Sequence, residues 1–255
     1  MVMYMNSTTL RSTAPAAAGV PRYRQVKQHI TEALRQSKWK RGQKIASEMQ
    51  LAERYAVSVG TVRRAVGELV AENILVREQG RGTFVVSHTP DYMLNAFFRI
   101  VDRDGHKELP SIRILAMRRI RADLDTARRL DLRPRAMVIE VETLLSIQGK
   151  PTLLDVMRLP AGLFPDFNES VFAGRGGTVY GLFQRRFGVT VVRIEEFITA
   201  TLADARQGRL LGVAKGAALL RVQRTAFTYK DEPVDARVRL VNPARHGYLS
   251  VLGTA

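Results

Sequence analysis

The feature that most constrains this chain is a pair of helix starts, at Ser47 and Ser58, separated by a turn too short to let the helices run side by side. Ser47-Glu48-Met49-Gln50 has the Ser-x-x-Gln form of a capping box, in which side chain and backbone exchange hydrogen bonds across the first turn. Leu51, Ala52 and Tyr55 follow as the inner face. Ala56-Val57 makes the turn, and Ser58 is a second N-cap. Val59, Val62, Val66, Leu69 and Val70 then recur at helical spacing. Two capped helices joined so tightly cross steeply, which is the geometry of a helix-turn-helix. A helix precedes them: Pro21 suits its first turn, and Val26, Ile30, Ala33 and Leu34 form its apolar stripe. Two β-type runs, 74–78 and 83–86, flank Gln79-Gly80-Arg81-Gly82 and read as a hairpin, the wing of such a module.

Charge points the module at a partner. Lys and Arg number 40 against 24 Asp and Glu, a formal charge of +16 in 255 residues. Residues 1–90 hold 14 basic and 6 acidic residues, so positive density is greatest at the front. Nucleic acid is the commonest anionic partner for such a chain. An acidic membrane face or ligand stands behind it, and an arginine-inflated coding bias is the bland alternative. A charged fraction of 25% with 45% hydrophobic residues excludes wholesale disorder. The lack of cysteine excludes disulfides, thiolate nucleophiles and cysteine-bound metals. No apolar run approaches a membrane span, and residues 1–20 lack the apolar core of a secretory signal. The expectation is a flexible tail over 1–20 on a soluble, cytoplasmic protein that has no membrane partner and no cofactor.

The DNA-reading candidates follow from the module. The third helix presents Ser58, Gly60, Thr61, Arg63 and Arg64 opposite its valine stripe, at the end that such proteins place in the major groove. Arg63 or Arg64 has the reach for guanine O6 and N7. Ser47, Ser58 and Thr61 can donate to phosphates, aided by helix N-termini. Gly60 permits close backbone approach, and Arg81 at the wing tip suits a minor groove.

Residues 21–86 closely resemble the N-terminal domain of GntR-family transcription regulators. The resemblance rests on Tyr23-Arg24-Gln25, Gly42 with Ile45-Ala46-Ser47-Glu48, Thr61-Val62-Arg63-Arg64-Ala65 and Gln79-Gly80-Arg81-Gly82-Thr83-Phe84-Val85. It implies DNA contacts from Tyr23, Glu48 and Gly82 as well as from the residues named above. Met49 and Val59 depart from the arginines common at those two positions, which puts the operator sequence in doubt.

Beyond a linker over 88–94, residues 95–255 read as an α+β domain with about six strands and three helices. Strands are expected at 112–120, 137–147, 152–159, 191–200, 218–229 and 233–241. Helices are expected at 122–130, 178–187 and 202–211. The order resembles the UTRA effector domain of the HutC subfamily, whose antiparallel sheet with helices is like that of chorismate lyase. The carrying pieces are Gly149-Lys150-Pro151, Asp155 with Leu159-Pro160 and Phe164-Pro165, Gly177-Thr178-Val179-Tyr180, and Glu232-Pro233-Val234-Asp235. The resemblance implies effector contacts from Asp155, Thr178, Tyr180 and Asp235. Thr143 and Leu145 stand where phosphosugar-sensing relatives carry an Arg-x-Arg pair, which argues against that ligand class. Arg158, Arg175, Arg193, Arg237 and Arg239 have the chemistry to bind a carboxylate, so an anionic effector is one candidate, although strand arginines are mostly solvated.

The function expected is a DNA-binding regulator, most often a repressor, released from or set on a palindromic double-stranded operator by a small-molecule effector. It would act as a homodimer joined by the effector domain. A lyase-like enzyme acting on a small organic acid is the alternative. His29, His88, His106 and His246 are scattered without acid or nucleophile spacing, so no catalytic residue is expected. The same scatter disfavours a metal-sensing relative, and a large second domain disfavours a purely architectural DNA binder.

Overall fold

The structure is a computed structural model, described here for residues 20–36 and 38–251. The expected tail therefore lies almost wholly outside the described residues. The chain divides into two compact units. One consists of the chain up to Ala71 together with Leu75–Val85; the other takes Glu72–Ile74 and the chain from Val86 onward.

The first unit opens with α1 (Arg22–Arg35), which buries Val26, Ile30 and Leu34. In α2 (Glu48–Tyr55) both halves of the capping box are present: Gln50 N–H donates to Ser47 Oγ at 3.2 Å and Ser47 N–H to Gln50 Oε1 at 2.9 Å. Ala56 turns the chain with a left-handed φ of 51°. Thr61 N–H then donates to Ser58 Oγ, starting α3 (Val59–Ala71). Its inner stripe is Val62, Ala65, Val66 and Leu69, each fully buried side chain contributing about 1.5–3 kcal/mol where it is as large as valine. Val59 and Val70, expected in that stripe, are only half-buried, because Ala65 fills the i+3 position and the stripe drifts around the helix. Strands β1 (Leu75–Glu78) and β2 (Gly82–Val85) pair antiparallel as the hairpin. Lys44 bridges Phe84, and Ile45 N–H donates to Thr83 O, giving the wing a third extended edge.

In the second unit the segment expected as a linker is folded. Thr89 caps α4 (Pro90–Ala96), and Met93 and Phe97 enter the core. A proline after a threonine is a helix start here, since N1 needs no N–H donor. After β3 (Ile100–Val101) come β4 (Ser111–Arg121), α5 (Leu124–Arg129), β5 (Met137–Ile147) and β6 (Lys150–Pro160). Next are α6 (Glu169–Ala173), α7 (Val179–Phe187), β7 (Arg193–Leu202), α8 (Ala205–Leu211), β8 (Ala218–Phe227), β9 (Pro233–Val241) and β10 (Gly247–Tyr248). The α6 helix, capped by Asn168, was not expected, and the strand expected to run to Tyr229 stops at Phe227.

Six strands form one antiparallel sheet in the order β4-β5-β6-β9-β8-β7. One face of its centre carries Ile139, Val141, Met157 and Leu159 against an aromatic cluster that includes Phe164, Phe172, Tyr180 and Phe183. The other face carries Leu144, Leu154 and Leu240 against Leu211 of α8, with Val138 and Ala236 against α5. Both faces are thus covered at the centre, and most side chains of β6 and β9 are buried on whichever side they point. Among the described residues no helix is long and apolar enough to cross a membrane.

Candidate nucleic-acid interface and effector site

Glu48 organises the first unit's polar face. As the first residue of α2 its carboxylate complements the positive helix end, and it accepts from Arg63 Nε of α3 at 2.8 Å and from Arg77 Nη2 of β1 at 3.1 Å. One carboxylate therefore ties the start of α2, the outer face of α3 and the wing strand β1 into a single surface. Arg63 remains two-thirds exposed despite the contact. Arg64 lays its guanidinium over the Tyr23 ring, 3.9 Å from the centroid, which pre-orders both side chains. At the wing tip Arg81 is 73% exposed, pairs with Glu78 and lies over Phe84. Gly82 follows with φ of 121°, a conformation closed to other residues, and a Cβ there would meet Lys44. Ser58 and Gly60 are exposed at the start of α3, and Thr61 is half-buried with its hydroxyl 2.9 Å from that of Ser58. All ten sequence-derived candidates thus belong to this one unit, with Glu48 holding two arginines rather than facing outward alone.

The second unit carries a belt of buried charge across the sheet. Asp155 of β6 accepts from Arg237 Nη1 at 2.9 Å and from Arg239 Nε at 3.2 Å. Asp235 of β9, with no exposed surface, accepts from Arg237 Nη2 at 2.8 Å and from the Tyr180 hydroxyl at 3.0 Å. Farther along, Arg224 of β8 donates to Glu196 of β7 at 2.8 Å and to Phe97 O at 2.6 Å. The Tyr248 hydroxyl closes the row on Glu196. Sheet register explains the row: Thr143 opposes Asp155, Asp155 opposes Arg239, Met157 opposes Arg237, and Arg237 opposes Arg224.

Electrostatics follow from the pairing. Burial alone would push the Asp155 carboxyl up, but the Arg239 and Arg237 guanidiniums outweigh it and hold the group below the usual carboxylate range. Burial, reinforced by the Asp235 charge, pushes the Tyr180 hydroxyl up to about 12, so it stays a donor. Three arginines face three carboxylates, and the belt is neutral overall. One valence stays open: Asp235 Oδ1 is buried without a hydrogen-bond partner among the described residues.

The structure separates several residues expected together. Arg158 lies three positions from Asp155 on β6 and hence on the opposite face, where it donates to Glu140, Asp123 and Thr126. Arg175 packs its guanidinium over Phe172 and donates to that residue's carbonyl, outside the belt. Thr178 caps α7 by accepting from Gly181 N–H, so it holds the helix that carries Tyr180. Arg193 is paired with Glu195 and Asp231 at an exposed edge. Thr143 is buried opposite Asp155, and Leu145 sits in an apolar cluster, so cationic groups reach this face from β9 and β8 and not from β5. Arg224 and Glu196 were not singled out in sequence. Their signal is weak, one charge on each of two alternating strands. Asp102, Asp104 and His106 bring potential metal ligands together on a loop, where backbone N–H groups of Asp104 and His106 both donate to Asp102 Oδ1.

Two family models match the chain. The UTRA domain covers residues 105–246, more than half of the chain, and the model for bacterial regulatory proteins of the gntR family covers 22–85. The chain belongs to the GntR family. It is a DNA-binding transcriptional regulator with a small-molecule effector domain, not an enzyme. It is 28% identical over 231 residues to the HTH-type transcriptional regulator YurK of Bacillus subtilis, covering 89% of this chain and 94% of that protein. It is also 28% identical over 230 residues to the histidine utilization repressor of Pseudomonas putida, covering 89% and 90%. The ligand-binding domain of a regulator assigned to the GntR family from Bordetella bronchiseptica is 33% identical. That match has a TM-score of 0.58 and covers 61% of this chain and 96% of that domain. The lyase alternative finds no support among these relatives.

Proposed function

We propose that this GntR-family member is a cytoplasmic homodimeric repressor that reads a palindromic operator with α3 and the wing and releases it on binding an effector at the charged belt. The observation that carries the DNA reading is the Arg63–Glu48–Arg77 cluster, which holds the recognition helix and the wing strand β1 on one face. Arg63 and Arg64 read base edges; Ser47, Ser58, Thr61 and Tyr23 contact phosphates; Arg81 enters the minor groove beside Gly82. The dimer reading is supported by β7, a sheet-edge strand on which Phe197, Ile198 and Leu202 are exposed. Phe197→Glu would then leave a monomer in analytical ultracentrifugation.

The effector reading rests on the belt's charge balance. Its arginines are already matched by Asp155, Asp235 and Glu196, which leaves a bare anion little to gain. The open acceptor at Asp235 Oδ1 favours an effector that presents a hydrogen-bond donor, an ammonium or hydroxyl group. A panel of small amines, polyols and carboxylates is to be screened by thermal shift on the full chain. Hits restricted to compounds whose only polar groups are carboxylates would refute this choice. A palindrome recovered from a random duplex pool, bound more weakly by Arg63→Ala than by the wild type at matched salt, tests the DNA reading.

A further inference from the structure

Met49 is the second residue of α2 and is 74% exposed, although its neighbours Leu51 and Ala52 are buried. Val59, the first residue of α3, is half-exposed. The two side chains belong to different helices yet line one open depression of about 780 Å³, whose polar rim includes Lys44, Ser47, Gln50 and Glu53. A lone exposed methionine is ordinary on a protein surface. Two apolar side chains converging at the N-terminal ends of both helices of a DNA-reading module form a feature that water does not reward and phosphate cannot use. The rim carries one cation, Lys44, and one anion, Glu53, so charge gives the two apolar side chains themselves no partner.

We infer that Met49 and Val59 form an apolar reader that seats thymine methyl groups of the operator. The inference rests on the proposed placement of α3 in the major groove. The thymine C5-methyl is the apolar group that a base pair presents in that groove. Val59 and Arg63 stand at i and i+4, neighbours on one helix face. Four residues of helix rise about 6 Å, close to two base-pair steps of ~3.4 Å. The thymine read by Val59 and Met49 therefore lies about two base pairs from the guanine read by Arg63. Met49 adapts to the exact position of the methyl because its thioether side chain is unbranched. Burying one methyl group corresponds to about a fourfold gain in affinity.

The test uses the full chain and duplexes that it selects from a random-sequence pool. Each thymine is replaced in turn by deoxyuridine, which removes the methyl and preserves pairing, and affinity is read by fluorescence anisotropy at fixed salt. The expected result is one or two thymines per half-site at which deoxyuridine weakens wild-type binding about fourfold. That sensitivity disappears in Met49→Gln or Val59→Ala and is retained in Met49→Leu. Both positions are outside the core, and an unchanged melting temperature verifies that the variants fold. If Arg63→Ala binds the selected duplexes as tightly as the wild type, with unchanged preference at every base pair, the placement of α3 is wrong and this inference falls with it. If Arg63→Ala weakens binding and relaxes preference at one base pair while the wild type tolerates deoxyuridine at every thymine, the methyl reader alone is overturned.

Discussion

Replacing Asp155 by Asn keeps the shape of the side chain and removes its charge, which isolates the electrostatic contribution of the belt. In the native fold Asp155 is buried and accepts from both Arg237 and Arg239. After substitution Arg237 keeps Asp235, but Arg239 is left without a carboxylate in a site where its guanidinium is almost wholly buried. Removing one partner of a buried ion pair costs about 3–5 kcal/mol. A domain of this size loses roughly 2–4 °C in Tm per kcal/mol, so the second unit should melt about 10 °C lower. Differential scanning calorimetry of the full chain reads this directly. The pH dependence supplies a second handle. The Asp155 carboxyl is held below its ordinary range in the fold, so its stabilisation is present above the unfolded-state pKa of about 3.9 and is lost as pH falls through the depressed value. The gap between wild type and Asp155→Asn should stay constant from pH 5 to 8 and narrow only in strong acid. A Tm loss below about 3 °C at pH 7, or a gap that widens on acidification, would show that the belt does not depend on this charge.

Three further outcomes follow from the same geometry. Arg81→Ala should weaken operator binding with little change in sequence preference and lower the salt slope by about 1, whereas Arg63→Ala should cost roughly 1–3 kcal/mol and relax preference at one base pair; anisotropy titrations across a salt series separate the two. Ser47→Ala removes the bond from Gln50 N–H to Ser47 Oγ, keeps the reciprocal bond from the residue-47 backbone N–H to Gln50 Oε1, and should destabilise the first unit by about 1 kcal/mol in urea unfolding. Gly208→Ala places a Cβ 2.7 Å from the Val213 carbonyl oxygen, so α8 must shift at a cost of about 1–3 kcal/mol, read as a lower Tm of the second unit.

The helix-turn-helix and wing were legible because their signals are local. Capping residues, a left-handed turn and a valine stripe act within a few residues of one another, and Ser47, Ser58 and Gly82 specify the same backbone in any context. Strand positions in the second unit were legible for a similar reason, through turns such as Gln148-Gly149. What sequence could not supply was strand order. Arg158, Arg193, Arg237 and Arg239 are chemically alike and all lie on strands. Parity along β6 separates the first of them, because Asp155 and Arg158 differ by three residues and so face opposite sides of any sheet. For the other three, only the adjacency of β6 and β9 decides which two are buried against Asp155. The same parity sets Asp235, Arg237 and Arg239 on one face of β9, a pattern of alternating charge that would be senseless in an apolar core unless a second strand supplied the missing carboxylate. Asp155 is that residue, and the requirement that buried charges be matched is therefore itself a predictor of strand neighbours: a central strand bearing one Asp and two Arg on the same face must lie beside a strand bearing an acidic residue at the facing position.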